Sequence, residues 1–276
     1  MRFAFAGCDR NLKLFEMLTL AGWQAVKLFS VPEINQLSSN KALLAQAQKM
    51  KLPIQLSRMQ VSDLAALKEL GCDVIVIASY NWRIPDWQGY VPYAINFHPS
   101  PLPIGRGPYP LVRAILEQHQ SWAVSCHRIA HEYDAGPVLG REEFLLDEYD
   151  THDTLNLKLQ MAGGRLATRI AHDFQHCWDN AQTQTAALYW PLMTDADKTI
   201  DFFQSVFVAR TQLRAFAGLE CLAYLNGQKL GIRSGHAWPE KHAYFCGQIA
   251  HVNGNTLVIA CTDGLLALTD WYAVNN

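Results

Sequence analysis

The sequence predicts an α/β fold, with a doubly wound, mostly parallel sheet followed by a small all-β domain. Residues 3–6 form a short apolar run that enters Gly7, and apolar residues with helical spacing follow at once. Residues 73–78 are almost continuously apolar, which is typical of a central parallel strand buried on both faces. Near the C terminus, short apolar runs alternate with turns typical of hairpins. We therefore expect a sheet domain over residues 1–192 and a β domain over residues 197–276.

Apolar periodicity and turn residues place the other elements of the first domain. Helical spacing covers residues 12–21, 38–51, 62–70, 110–118 and 155–178, and strand-like runs cover residues 24–29, 52–54, 93–97 and 123–129. Ser62 is the expected N-cap of the third helix. Gly163-Gly164 is the weak point of the longest helix, because glycine lowers helix propensity. A nicotinamide-binding site is excluded, because the segment after Gly7 lacks the GxGxxG pattern that lets the backbone approach a pyrophosphate.

One helix and a series of short strands make up the predicted second domain. The helix covers residues 195–215, and the strand-like runs cover residues 222–225, 229–233, 247–252, 256–261 and 265–271. The turns between the runs are Asn226-Gly227, Asn253-Gly254 and Asp263-Gly264. Asn-Gly and Asp-Gly turns connect antiparallel neighbours, so this region is expected to form a small barrel or sandwich.

The composition indicates a protein with a large core and weak overall charge. Half of the 276 residues are hydrophobic, 17% are charged and the formal net charge is −2. This balance argues against an extended nucleic-acid-binding face, which requires clustered lysine and arginine. The seven cysteines are an odd number without a CxxC pair, so we expect reduced, buried thiols and no metal site. No signal peptide and no run of about eighteen apolar residues is recognisable, so a cytoplasmic protein without a membrane segment is expected.

A polar motif follows the predicted strand at residues 93–97. The strand runs into Pro99, which cannot continue it, so Asn96 and His98 are expected on one side of a strand end. In open α/β sheets, ligand crevices form at the carboxyl ends of strands. Asp134 follows further along the chain, before a Gly-Pro turn. A single histidine or Asp-Gly pair is more often structural, but the ordered combination predicts a polar catalytic site.

The ordered set of residues resembles the folate-dependent formyltransferases, which transfer a formyl group from 10-formyltetrahydrofolate to an amine. The matching residues are Asn96, His98, Ser100, Pro103, Arg106, Gly107, Asp134 and Gly136. The resemblance implies a catalytic set of Asn96, His98 and Asp134. It implies a cofactor-binding set of Tyr80, Trp82, Ile84, Ser125, His127 and Gly136, and a substrate-binding set of Ser100 and Arg106. On local sequence alone, residues 79–85 are equally compatible with an ordinary surface loop, and Ser125 and His127 with an exposed strand face.

The second domain resembles the C-terminal oligonucleotide/oligosaccharide-binding-like domain of methionyl-tRNA formyltransferases. The similar segments are residues 213–216 and 258–264. Two features depart from that branch: Pro101 stands where the family usually has leucine, and no basic insertion occurs early in the first domain. The resemblance therefore implies a small-molecule amine, best a nucleotide-linked amino sugar, as the acceptor, with transfer RNA disfavoured. The second domain is then expected to serve packing, homodimer formation or closure of the acceptor site.

The expected chemistry is direct attack of a neutral amine on the formyl carbon through a tetrahedral intermediate. His98 and the Asn96 amide would donate hydrogen bonds to the developing oxyanion, and Asp134 would relay the amine proton. No metal is needed. A serine hydrolase is disfavoured, because Ser100 lacks the flanking glycines of a nucleophile elbow. The alternatives left open are a methionyl-tRNA formyltransferase, a 10-formyltetrahydrofolate hydrolase and a non-catalytic folate-binding module.

Overall fold

Two sheets form the framework of the chain. The computed structural model describes residues 1–32, 39–185 and 188–274. The chain divides into two compact units. The first unit comprises Met1–Gly107, Ser121–Leu145 and Asn156–Trp190, and the second comprises Pro108–Gln120, Leu146–Leu155 and the described residues from Pro191 onward. The second unit thus includes two segments that lie inside residues 1–192, and the domain boundaries given above stay a prediction.

The first unit contains a seven-stranded sheet with the order β3-β2-β1-β4-β5-β6-β7. Its strands are β1 (Arg2–Gly7), β2 (Gln24–Phe29), β3 (Ile54–Gln55), β4 (Val74–Ala78), β5 (Tyr93–His98), β6 (Ser121–Arg128) and β7 (Val138–Leu145). Strands β1 to β5 pair in parallel, whereas β6 and β7 add in antiparallel fashion. The predicted mixed, mostly parallel α/β sheet is confirmed.

Both faces of β1 are buried, because its side chains alternate between two layers of helix. Phe3 and Phe5 pack against Phe15, with ring centroids 5.7 and 5.3 Å apart. On the other face, Ala4 and Ala6 belong to an apolar cluster that includes the helical residues Leu64 and Leu67. This two-sided burial is why the strand sequences are apolar throughout.

The helices differ from the predicted segments at several ends. They are α1 (Leu12–Leu20), α2 (Lys41–Lys49), α3 (Val61–Glu69), α4 (Pro110–Leu116), α5 (His152–His172) and α6 (Phe174–Asp179), with a short 3-10 turn at Asp9–Asn11. The predicted start of α2 at Ser38 lies outside the described residues. None of the helices in the described ranges has the length and apolar character needed for a membrane span.

Two helix predictions are wrong for identifiable reasons. The N-cap of α3 is Gln60 rather than Ser62, because the Asp63 carboxylate accepts a hydrogen bond from the Gln60 backbone N–H and forms a capping box. The predicted helix 155–178 is two helices that meet at Asp173. Glycine inside α5 has a packing role, since a Cβ on Gly164 would lie only 3.0 Å from Lys13 Cγ in α1.

The second unit contains a six-stranded, mainly antiparallel sheet with the order β11-β12-β13-β10-β9-β8. The strands are β8 (Thr199–Ile200), β9 (Cys221–Leu225), β10 (Gln228–Pro239), β11 (Ile249–Asn253), β12 (Thr256–Ala260) and β13 (Gly264–Ala273). Two helices, α7 (Asp195–Lys198) and α8 (Val206–Ala215), precede β9, so the prediction of one helix over residues 195–215 is wrong: β8 and a turn separate the two. The predicted β domain is confirmed. Strand β10 is longer than the predicted run, because it stays paired with β13 on both sides of a register shift at Ser234.

Helix α8 begins at two side-chain caps. Ser205 Oγ accepts a hydrogen bond from the Val208 N–H, and Asp263 Oδ1 accepts one from the Val206 N–H at 2.7 Å. These oxygens satisfy N–H groups that have no partner within the helix.

We expect Ser205→Ala to lower the free energy of unfolding by about 1 kcal/mol, the usual contribution of an N-cap side chain. Ser205→Asp keeps a capping oxygen and serves as the control, so its stability should stay close to that of the parent. Chemical denaturation monitored by tryptophan fluorescence measures both variants. Equal losses would show that Ser205 does not act through its oxygen.

Candidate active site

Four of the predicted site residues lie on one face of two neighbouring strands. In β5, Asn96 and His98 are two residues apart and therefore share a face. In the antiparallel pairing with β6, Asn96 is opposite His127 and His98 is opposite Ser125. The register between β5 and β6 thus brings together residues that are about thirty apart in sequence.

The Asp134 carboxylate lies among these side chains. Its Oδ1 is 3.4 Å from His98 Nδ1 and 3.6 Å from His127 Nε2, and it accepts a hydrogen bond from Asn96 Nδ2 at 3.3 Å. Its Oδ2 accepts the Gly107 N–H at 3.0 Å. Asp134 adopts a left-handed backbone conformation, with φ of 53°, in the connection between β6 and β7. The structure therefore brings the predicted trio together around one carboxylate.

The segment after β5 is held by buried hydroxyls. Ser100 Oγ donates to the Ile104 carbonyl at 2.8 Å, and Ser125 Oγ donates to the Ser100 carbonyl at 2.7 Å. Ser125 Oγ also accepts the Leu102 N–H at 3.1 Å. Both serines are fully buried. Both hydroxyls bond within the protein and fix the loop, and the substrate contact expected of Ser100 and the cofactor contact expected of Ser125 stay predictions.

His127 likewise uses both ring nitrogens inside the protein. Its Nδ1 donates to the Arg128 carbonyl at 2.8 Å, and its Nε2 is 3.1 Å from Asn96 Nδ2. The ring is almost fully buried. His127 thus contacts Asn96 and Asp134, and its predicted contact with a cofactor stays a prediction.

Gln184 is a site residue that the sequence analysis missed. Its Nε2 donates to the carbonyls of Asp134 and Gly136 at 2.8 and 2.6 Å, and its Oε1 accepts from Arg106 Nε at 3.1 Å. Arg106, which we predicted to bind substrate, also donates to the Thr185 carbonyl at 3.4 Å. Nothing in the local sequence distinguishes Gln184, because it reaches the Asp134 loop from a distant segment without regular structure.

Gly136 has a packing role in the structure. A Cβ at this position would lie far inside van der Waals distance of the Arg128 carbonyl oxygen. Glycine therefore lets the chain after Asp134 approach the end of β6 closely. A cofactor contact at Gly136 would have to come from its backbone and stays a prediction.

The remaining predicted cofactor residues follow β4, the strand next to β5. The Tyr80 and Trp82 rings meet edge to face with centroids 5.3 Å apart. Tyr80 and Ile84 pack against the apolar cluster under the sheet, and the Tyr80 hydroxyl accepts the Met59 N–H at 3.0 Å. These side chains form an apolar surface at the carboxyl end of β4, and their contact with a cofactor stays a prediction.

The site favours the charged form of Asp134 but the neutral form of His98. Burial by itself raises the pKa of Asp134, but the two imidazoles and the Gly107 N–H outweigh burial and hold the pKa at about 2. Burial lowers the pKa of His98 below its usual value, although Asp134 opposes this shift. The resting site thus holds an ionised Asp134 beside a neutral His98 at neutral pH. Within the described ranges, no group of three or more His, Cys, Asp or Glu residues has the arrangement of a metal site.

Two family models match the chain. Residues 35–170 match the model described as Formyl transferase, and residues 192–272 match the model described as Formyl transferase, C-terminal domain. The chain belongs to the formyl transferase family. The resemblance found in the sequence is confirmed at this level.

Individual relatives are more distant. A methionyl-tRNA formyltransferase of Ehrlichia ruminantium is 31% identical over 182 residues, which are 65% of this chain and 58% of the relative. The match thus spans less than two thirds of that relative's length. Among solved structures, HypX from Aquifex aeolicus in complex with tetrahydrofolic acid has a TM-score of 0.71 and 17% identity over 100% of this chain and 44% of its own. The N-formyltransferase from Helicobacter canadensis, in complex with folinic acid and dTDP-3-aminofucose, has a TM-score of 0.68 and 17% identity over 98% and 99%. At such identities the structures show a shared fold.

We expect Gly136→Ala to destabilise the protein by about 2 kcal/mol or more, because the added methyl group overlaps the Arg128 carbonyl. Gly140→Ala is the matched control in β7, since its Cβ would meet only side-chain atoms at 3.5 Å or more. Thermal unfolding of both variants measures the difference. A Gly136→Ala protein as stable as Gly140→Ala would show that the close approach is not required.

Proposed function

We propose that the protein transfers a formyl group from 10-formyltetrahydrofolate to a primary amine. The observation that carries this proposal is the Asp134 carboxylate 3.4 Å from His98 Nδ1 at the carboxyl edge of the sheet. Such a pair can take up one proton and return it, which is what amine acylation requires. Membership of the formyl transferase family and a similar fold crystallised with tetrahydrofolic acid support the choice of formyl donor.

The proposed reaction forms one bond and breaks another. The lone pair of the neutral amine attacks the formyl carbon, and the carbonyl becomes a tetrahedral oxyanion. Collapse of this intermediate breaks the bond between the formyl carbon and N10 of the folate. The amine loses one proton and N10 gains one, so the products are the formamide and tetrahydrofolate.

His98 and Asp134 are the proposed proton carriers. His98 Nε2 donates to the Gly105 carbonyl at 2.8 Å, so in the neutral ring Nδ1 carries the lone pair and faces Asp134. A proton from the amine would lie between Nδ1 and Oδ1 as an imidazolium–carboxylate pair. The positive imidazolium would stabilise the nearby oxyanion until the proton passes to N10.

The apolar residues after β4 are the proposed pterin contact. Tyr80, Trp82 and Ile84 lie at the end of the strand adjacent to β5, and flat apolar side chains suit the face of a heteroaromatic ring. This assignment carries over the family resemblance at these three positions.

A nucleotide-linked amino sugar is the proposed acceptor. The Helicobacter canadensis N-formyltransferase was crystallised with dTDP-3-aminofucose and aligns with this chain over nearly the whole of both chains. The basic residues of the second unit are also largely engaged within it: Lys229 pairs with Asp195, Arg233 with Glu220, and Arg214 donates to the Asp150 carbonyl. Cations that are already engaged by neighbouring groups release fewer counterions from a nucleic-acid backbone, which favours weak binding of transfer RNA.

Methionyl-tRNA is the second candidate acceptor. Relatives with a similar sequence, such as the Ehrlichia ruminantium protein, are methionyl-tRNA formyltransferases. The second family model also matches residues 192–272.

The test is release of tetrahydrofolate from 10-formyltetrahydrofolate with a panel of amines. We expect formylation of a nucleotide-linked amino sugar, little product with methionyl-tRNA and slow release without amine. Asp134→Asn should lower turnover at least about tenfold, because the amide cannot accept the proton. Preferred formylation of methionyl-tRNA would select the second acceptor, equal release without amine would indicate a hydrolase, and no release in any arm would exclude catalysis.

We expect His98 to titrate below pH 6.5, since burial disfavours the imidazolium. In Asp134→Asn the midpoint should fall further, because the removed carboxylate favours the charged ring. Nitrogen-15 NMR of labelled histidines measures both midpoints. A midpoint above 6.5 in the parent, or a rise in the variant, would contradict the proposed resting state.

A further inference from the structure

The side-chain amide of Gln184 has one orientation that satisfies its neighbours. Its Nε2 lies 2.8 Å from the Asp134 carbonyl oxygen and 2.6 Å from the Gly136 carbonyl oxygen, and its Oε1 lies 3.1 Å from Arg106 Nε. A carbonyl oxygen can only accept a hydrogen bond, and a guanidinium N–H can only donate one. Nε2 therefore donates to both carbonyls and Oε1 accepts from Arg106, so both amide hydrogens are used inside the protein.

These bonds join the two segments that meet at the Asp134 carboxylate. Gly107 follows Arg106 directly and donates its N–H to Asp134 Oδ2 at 3.0 Å. Gln184 connects the Arg106 side chain to the Asp134 carbonyl. Residues 106 and 107 are thus linked to Asp134 in two ways, through its carboxylate and, by way of Gln184, through its backbone. A movement of the 134–136 turn would strain or break both links.

The backbone at Asp134 depends on such support. Its φ of 53° lies in the left-handed region, which residues other than glycine seldom adopt. The carbonyls of Asp134 and Gly136 are turned toward the same amide nitrogen, which satisfies both. Without that nitrogen the two carbonyls lose a shared donor, and the turn can relax toward a more common conformation.

Gln184 is itself held by the backbone of its segment. Gln182 exchanges two backbone hydrogen bonds with Val138 at the start of β7, at 2.8 and 2.9 Å. The Trp190 N–H donates to the Arg106 carbonyl at 2.8 Å. The described residues between 182 and 190 are therefore attached on both sides of Gln184, which gives its side chain a fixed starting point.

We propose that Gln184 is a positioning residue of the active site, which fixes the Asp134 carboxylate against His98 by bonding the 134–136 turn to Arg106. The inference rests on the proposed formyl transfer, and Gln184 itself touches no reacting atom. Misplacement of a catalytic group by about 1 Å can lower a rate about a hundredfold. Gln184 therefore contributes to kcat and not to folate binding, because the proposed pterin contact follows β4.

Nitrogen-15 NMR of labelled histidines tests the positioning without turnover. Burial lowers the pKa of His98, and the Asp134 carboxylate opposes this shift. Gln184→Met keeps the length of the side chain and removes both donors, so Asp134 is free to move away and the His98 midpoint should fall. The titratable groups beside His98 are Asp134 and His127, and the variant replaces neither. An unchanged midpoint would overturn the proposal.

Gln182→Met is the matched control for this measurement. Gln182 is exposed and bonds to Val138 through its backbone, which the substitution leaves in place. We expect its His98 midpoint to equal that of the parent. An equal fall in both variants would assign the effect to the segment as a whole and overturn the role of the Gln184 amide.

A double-mutant cycle tests the consequence for catalysis. We expect Gln184→Met to lower kcat at least about tenfold, with the KM for 10-formyltetrahydrofolate within about twofold of the parent. Gln182→Met should change neither. In an Asp134→Asn background, Gln184→Met should cause little further loss, because the group that it positions is already replaced. An equal loss in both backgrounds would show a structural role only and overturn the proposal.

Gln184→Glu tests donation separately. It keeps an acceptor for Arg106 and loses both donors to the carbonyls, so kcat should fall as in Gln184→Met. Full activity of Gln184→Glu would overturn the proposal. This variant can pair with Arg106 and carries the test if Gln184→Met fails to fold. Absence of turnover in the parent protein would instead refute the proposed function, and the NMR result would still decide the positioning.

Discussion

The ionised Asp134 carboxylate is the constraint on which the arrangement of the site depends. A charge taken out of water has to be matched by donors and charged partners. Here Asn96 and the Gly107 N–H supply donors, while two imidazoles lie beside the same oxygen. These contacts depend on three features of the backbone. They are the register between β5 and β6, the left-handed conformation of Asp134, and the close packing that only glycine allows at position 107. Loss of any of these features would leave a buried charge unmatched, so the polar site and the local fold stabilise each other.

The two imidazoles meet Asp134 through different ring nitrogens. His98 Nε2 donates to the Gly105 carbonyl, so Nδ1 is the nitrogen that faces the carboxylate. His127 Nδ1 donates to the Arg128 carbonyl, so Nε2 is the nitrogen that faces Asp134 and Asn96. The backbone carbonyl beside each ring therefore decides which nitrogen is turned toward the carboxylate. In the proposed mechanism, Nδ1 of His98 is the nitrogen that exchanges a proton with Asp134.

The sequence predicted the framework and the grouping of Asn96, His98 and Asp134, but not the contacts that orient these side chains. Apolar strands such as β4 are visible because burial on both faces leaves no polar position. Asn96, His98 and Asp134 were found from their order along the chain, before their distances were known. The internal bonds of Ser100 and Ser125 were not foreseen, because a hydroxyl that donates to a buried carbonyl looks the same in sequence as one that meets a ligand. Gln184 was missed because only tertiary folding brings it to the Asp134 loop.

The geometry of the His98–Asp134 pair also bears on whether an amine or water attacks the formyl carbon. In the proposed mechanism, a neutral His98 beside an ionised Asp134 can take a proton from an amine or from water. The pair itself therefore does not select transfer over hydrolysis. Selection has to come from holding the amine at the formyl carbon, since a bound and oriented nucleophile can exceed bulk water by orders of magnitude in effective concentration. Binding of the rest of the acceptor, through groups remote from the amine, would then favour transfer over hydrolysis. The residues that bind the acceptor would determine the reaction as much as the carboxylate does.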